Sequence, residues 1–133
     1  MKPLEKICVA GLGGIGGFIG YHLGKGWASA QRTDRQLSFL ARGEHLKAIQ
    51  ETGLTFFSPS GKRGLVKPHR VTDNPATLPV QDLVVLCVKG YHLTEICRQI
   101  QPIIGDTTVI LPLLNGIDIY ERIRLELTKG IVL

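Results

Sequence analysis

The chain lacks the spacings that would mark a metal site: it has no Cys-x-x-Cys pair and no His-x-x-x-His pair, and His22, His45, His69 and His92 lie far apart. It has only three cysteines, an odd number that excludes a complete disulfide framework. Cys8 and Cys87 sit inside apolar runs, and Cys97 falls at helical spacing with Leu93 and Ile100. All three read as small buried hydrophobes of a reducing, cytoplasmic compartment. None has an evident activating partner, so a catalytic cysteine is not indicated. Charged residues are few, 20% of 133, and aromatics fewer, 6%. The net charge of +5 comes from scattered basic residues, clustered only between Lys62 and Arg70, where no aromatic interleaves them. Without a helix-turn-helix or base-stacking pattern, that stretch reads as a solvated face rather than a nucleic-acid surface. The surplus of positive charge also suits a phosphorylated ligand.

Between Ile7 and Gly24 there is no Lys, Arg, Asp or Glu. Preceded by Lys2 and Lys6 and followed by Ala28-Ser29-Ala30, the stretch imitates a secretory signal or a membrane span. Its glycines argue against both, because each weakens a helix by about 1 kcal/mol relative to Ala and adds little hydrophobic drive. No membrane association is expected.

What is there instead is an alternation of strands and helices. Ile7–Ala10 is a short β-branched apolar run, read as a buried strand. Ile15, Phe18, Ile19, His22 and Leu23 then fall on one helical face, with Gly24 and Gly26 expected to end the helix and His22 read as a core or interface histidine. Leu37, Phe39 and Ala41 alternate with polar partners in a second strand, and a helix over 44–51 is closed by Gly53. Residues 54–57 and 64–66 flank a Ser-Pro-Ser-Gly turn and read as paired strands. The stretch 73–79 reads as loop, and 83–88 as a strand buried on both faces. A helix through Leu93, Ile96, Cys97 and Ile100 stops at Pro102, a strand runs over 107–111, and a last helix over 120–127. This order implies parallel βαβ units: an α/β fold with a doubly wound, mostly parallel sheet. Gly130-Ile131-Val132-Leu133 reads as the start of one more buried strand, so the chain is expected to be truncated, with more protein C-terminal in the parent.

Candidate chemistry gathers at strand ends. Gly11-Leu12-Gly13-Gly14-Ile15-Gly16 matches G-x-G-x-x-G, follows a strand and opens a helix. Gly11 permits the tight turn, Gly13 lets a pyrophosphate approach, and Gly16 lets helix and strand pack closely; the helix N-terminus offers N–H groups and a positive dipole end to phosphates. The second strand ends in Leu40-Ala41-Arg42, where an NAD-specific fold would place an acid, and Asp34 stands at the strand's wrong end. An Arg at that tip suits a 2′-phosphate, so NADP(H) is favoured, with a plain surface Arg as the alternative and Glu44 within reach of a ribose hydroxyl. Lys89 follows one strand and Asn115-Gly116 another. Each alone could be a loop lysine or an ordinary turn pair. Their shared carboxyl edge, where open α/β sheets bind ligands, argues for function.

These residues, together with Gly17, Ala41-Arg42-Gly43, Val88-Lys89-Gly90-Tyr91 and Leu114-Asn115-Gly116, resemble the ketopantoate reductase (2-dehydropantoate 2-reductase) family along essentially the whole chain. The resemblance implies an N-terminal NADP-binding Rossmann domain, here residues 1–133, truncated before a helical C-terminal domain. It implies NADPH-dependent reduction of the 2-oxo acid ketopantoate to pantoate, on the way to pantothenate and coenzyme A. Gly11 to Gly16 would hold the pyrophosphate, Arg42 the 2′-phosphate, Lys89 would lie near the nicotinamide, and Asn115 would touch cofactor and substrate. The family's catalytic Lys and acidic partner lie in the missing domain, so no catalytic residue is assigned here and the chain alone is expected to be inactive. A homodimer of the parent would use that domain. Two other readings remain: a stand-alone nucleotide-sensing Rossmann module, and another two-domain hydroxy-acid dehydrogenase.

Overall fold

A computed structural model describes residues 3–133. The first strand, β1 (Lys6–Ala10), runs into helix α1 (Gly14–Ser29), then β2 (Gln36–Leu40) and α2 (Gly43–Thr52). A hairpin follows, β3 (Leu54–Phe57) and β4 (Arg63–Val66), then the short β5 (Arg70–Thr72). The second half is β6 (Leu83–Leu86), α3 (Leu93–Gln99), β7 (Val109–Pro112), α4 (Ile119–Glu126) and β8 (Ile131–Val132). Six strands form one sheet in the order β5-β2-β1-β6-β7-β8, every neighbouring pair parallel. The α/β, doubly wound architecture expected from the sequence is the observed one.

Two apolar clusters sit on the two faces of this sheet. On one, Cys8, Ala10, Leu40, Val84 and Leu86 meet Leu93, Cys97 and Ile100 of the α3 segment and Ile119, Ile123 and Leu127 of the α4 segment. On the other, Ile7, Val9, Leu37, Phe39 and Val85 meet Ile49 of α2, Leu54 of β3 and the half-buried Ile19, Leu23 and Trp27 of α1. Period-two exposure along β1, β2 and β6 is lost because both faces are covered. Ser38 is therefore buried, where the alternation of Leu37, Phe39 and Ala41 had implied a polar face in solvent.

Two expectations are corrected, and one strand goes beyond them. First, α1 does not end at Gly24 and Gly26 but continues to Ser29. Second, its buried face is not the Ile15–Phe18–His22 stripe. Ile15 is 58% and Phe18 53% exposed, His22 is exposed, and the buried positions are Gly16 and Gly20. A side chain there would collide: a Cβ on Gly16 would lie 1.8 Å from the Gly11 carbonyl oxygen, and one on Gly20 2.9 Å from the Phe39 ring. Where the helix lies closest to the sheet only glycine fits beneath it; Ile15, Phe18 and His22 point away, while Ile19, Leu23 and Trp27 pack along its flanks. His22 packs instead against Phe18, Tyr21 and Phe56, with ring centroids 4.4 to 5.4 Å apart. The added strand is β5, at 70–72, where the sequence carries no strand pattern of its own; the His69 N–H donates to the Leu37 carbonyl and the Ala41 N–H to that of Thr72, while 73–79 is loop with a short 3-10 turn, in keeping with its reading.

The glycine-rich stretch 11–24 is thus turn and helix, and no helix among the described residues is long and apolar enough to cross a membrane. Lys62, Arg63 and Lys67 are exposed on and beside the hairpin.

Candidate functional site

The strand order reverses between β1 and β6, since the chain builds outward from β1 in one direction and from β6 in the other. At such a switch point the loops leaving adjacent strands diverge and open a crevice at the carboxyl edge. A cavity of about 540 Å³ lies there, lined by Gly11, Leu12 and Gly13 after β1, and by Ala41 and Arg42 after β2. Asp73 closes it after β5, and Cys87, Val88 and Lys89 after β6.

Gly11 takes φ +93°, a conformation that L side chains rarely adopt, and a Cβ on it would lie 2.8 Å from the Cys87 carbonyl oxygen. The turn therefore needs glycine for both conformation and space. Gly13 is different: it is extended, with φ −69°, and a Cβ there would meet nothing within 4 Å. That open space is room for a ligand. Gly13 is also the N-cap of α1, where no side chain caps the helix and the first turn carries no acid. The helix's leading N–H groups are thus free to receive an anion.

Arg42 is the N-cap of α2. Gly43 follows with φ +63°, so the chain turns sharply out of β2 and leaves Arg42 on the rim. Its Nη2 lies 3.5 Å from His92 Nε2, and its Nη1 3.9 Å from Glu95 Oε1 on α3. The guanidinium therefore bridges the two sides of the crevice. Lys89 is exposed on the opposite rim, leading the 3-10 turn of Gly90–His92, and among the described residues no carboxylate pairs with it.

The fold brings Gly11, Leu12, Gly13, Arg42 and Lys89 to one cavity. Gly14, Ile15 and Gly16 lie just beyond it in the first turn of α1, with Gly16 serving the helix–strand contact. Asn115 does not line the crevice; it is exposed in the loop after β7. Glu44 is 95% exposed beside Lys47 and also lies outside it. Asp34 is at the amino end of β2, held by Arg32 at 3.0 Å, and this pairing keeps its carboxyl below the usual range.

The crevice also holds His45, Asp73, His92 and Glu95, which the sequence did not single out. His45 is in the first turn of α2 and His92 precedes α3, so two histidines distant in sequence share one cavity. The only sequence signal for them was position: each stands within a few residues of a strand end already marked as functional. Among the described residues no three metal-binding side chains cluster tightly enough to hold an ion. Cys87 is half-buried and faces the crevice, contrary to its reading as a core residue, and burial pushes its thiol up to about 11.

A parallel sheet wound in both directions, with a glycine-rich turn and an uncapped helix at its switch point, defines a Rossmann-type α/β domain. The family model described as ketopantoate reductase PanE/ApbA matches residues 7–133, and the chain belongs to that family. It is 40% identical over 84% of its length to the 2-dehydropantoate 2-reductase of Mesorhizobium japonicum, of which it spans 32%. It superposes on the 2-dehydropantoate 2-reductase of Porphyromonas gingivalis W83 with a TM-score of 0.85 and 43% identity, covering 98% of this chain and 45% of that one. The fold alone is shared with octopine dehydrogenase solved with NADH and agmatine, at 20% identity and a TM-score of 0.65 over 90% of this chain and 30% of that one. The chain thus spans about a third to under half the length of these relatives.

Proposed function

We propose that residues 1–133 are the nucleotide-binding domain of an NADPH-dependent 2-oxo acid reductase, one that reduces 2-dehydropantoate to pantoate for pantothenate and coenzyme A synthesis. The observation that carries this reading is the crevice, where the glycine turn, Arg42 and Lys89 meet at the sheet's switch point.

The residues present fit a dinucleotide. The space beside Gly13 admits a pyrophosphate, and the uncapped first turn of α1 offers it Gly14, Ile15 and Gly16 N–H groups. Arg42 at the tip of β2 suits a 2′-phosphate, because a guanidinium forks onto phosphate oxygens with two parallel N–H groups. Lys89, on the far rim and with no carboxylate partner among the described residues, would face the nicotinamide half, and Asn115, on the same carboxyl edge but outside the cavity, would meet cofactor and substrate only where they extend beyond it. When bound, the reduced nicotinamide supplies a hydride to the keto carbon. The chain's own residues bind and orient; the general acid that must protonate the carbonyl oxygen belongs to a C-terminal helical domain. The intact enzyme acts in the cytoplasm on a small 2-oxo acid and dimerises through that domain.

Calorimetric titration of this chain with NADPH and NADH side by side tests the reading. NADPH should bind more tightly, and added salt should weaken it. Equal or NADH-preferring binding would remove the 2′-phosphate assignment. Arg42→Asp should move the preference towards NADH, and unchanged affinities would remove Arg42 from the site.

A further inference from the structure

We infer that Glu95 is the acidic counterpart of Arg42 across the crevice, and that this pair sets how strongly the site discriminates a 2′-phosphate from a 2′-hydroxyl. The inference rests on the nucleotide reading above and names a specificity-determining residue within it.

Rossmann folds that select the 2′-hydroxyl place an acid at the tip of the second strand. Here that tip carries Arg42, and Glu44 beside it points away to Lys47. The acid comes from the other wall instead. Glu95 lies in the first turn of α3, lines the cavity, and brings Oε1 to 3.9 Å from Arg42 Nη1. From behind, Gln99 Nε2 donates to the same Oε1 at 3.2 Å. His92 Nε2, at 3.5 Å from the other Arg42 nitrogen, completes the bridge.

This arrangement has opposite consequences for the two cofactors. A 2′-phosphate reaching Arg42 competes with Glu95 for the guanidinium and sits near a carboxylate of the same sign. A 2′-hydroxyl meets no repulsion and finds in Glu95 an acceptor for its proton. Glu95 therefore lowers the affinity for a 2′-phosphorylated dinucleotide while leaving or aiding the unphosphorylated one. Asp73 is the other carboxylate of the crevice, but no ion pair joins it to Arg42.

The test is calorimetric titration of the wild-type chain, Glu95→Gln and Asp73→Asn with NADPH and with NADH. Glu95→Gln keeps the oxygen that accepts from Gln99 and changes an exposed position, so the fold is retained; equal thermal midpoints verify this. It should raise the NADPH-to-NADH affinity ratio about fivefold, the size of one charge–charge contact at about 4 Å near water. Asp73→Asn should raise it less. An unchanged ratio in Glu95→Gln, or an equal rise in Asp73→Asn, would overturn the inference while leaving the nucleotide site standing. Wild type binding neither dinucleotide would instead overturn the nucleotide reading, and this inference with it.

Discussion

Gly13 and Gly16 stand three positions apart in one motif and answer to different constraints. At Gly16 a Cβ would fall 1.8 Å from a backbone carbonyl oxygen, which cannot swing aside as a side chain would. At Gly13 a Cβ would meet nothing, and the backbone is in a region open to every residue. Gly16→Val should therefore cost about 3 kcal/mol or more through overpacking. Gly13→Val should cost only about 1 kcal/mol, the loss of a good N-cap. Urea unfolding separates the two, and equal losses would refute the assignment. Gly13→Val should still abolish dinucleotide binding, because its methyls fill the space a pyrophosphate needs; a variant that binds NADPH normally would place the ligand elsewhere. The G-x-G-x-x-G spacing made both glycines visible in the sequence. It could not say which of them serves the fold and which the ligand, because that depends on what lies opposite each one.

At the scale of the element, α1 shows where periodicity misleads. Ile15, Phe18, His22 and Leu23 form a regular apolar stripe, yet the helix buries Gly16 and Gly20 and leaves the first three exposed. Hydrophobic spacing predicts the buried face only when the partner surface has room for side chains. Here Phe39, Cys87 and Val66 come so close that the absence of side chains decides the orientation. Gly24 and Gly26 lie inside this helix and make a paired test. Alanine favours a helix interior by about 1 kcal/mol over glycine. At Gly26 a Cβ meets nothing within 4 Å, so Gly26→Ala should raise stability by about 0.5–1 kcal/mol. At Gly24 it would lie 2.3 Å from Val66 Cγ1. Overpacking against a stiff, buried valine costs about 1–3 kcal/mol, more than the helix gains. Gly24→Ala should therefore lower the thermal midpoint and Gly26→Ala raise it. The strand β5 was missed for a related reason: Arg70, Val71 and Thr72 carry no apolar run, and only pairing with β2 makes them a strand.

For the whole molecule, burial of thiols couples stability to pH. Burial alone pushes Cys8 up to about 12 and Cys87 up to about 11, from an ordinary 9.0. The folded state thus keeps its protons where the unfolded chain gives them up. This contribution to stability is fully present below pH 9 and is lost as pH rises towards 12. Chemical denaturation at a series of pH values should show the midpoint falling across that window, and Cys8→Ala should flatten the fall. A wild-type midpoint that holds steady across it would mean these thiols are not held protonated by the core.

Local sequence signals were enough for every strand and helix but β5, for the parallel α/β class and for the place of the glycine turn. Each of these follows from local causes: β-branched runs, helical spacing, and a turn that only glycine can make. The sequence also marked Arg42 and Lys89, because the carboxyl ends of strands can be counted along the chain. Packing between elements settled which face of α1 is buried, that Asn115 stands outside the crevice, and that His45, Asp73, His92 and Glu95 stand within it. Those outcomes depend on strand order and register, which bring Arg42 and Glu95, 53 positions apart, to 3.9 Å. No local pattern carries that information, since it arises only when β2 and β6 take their places on either side of β1.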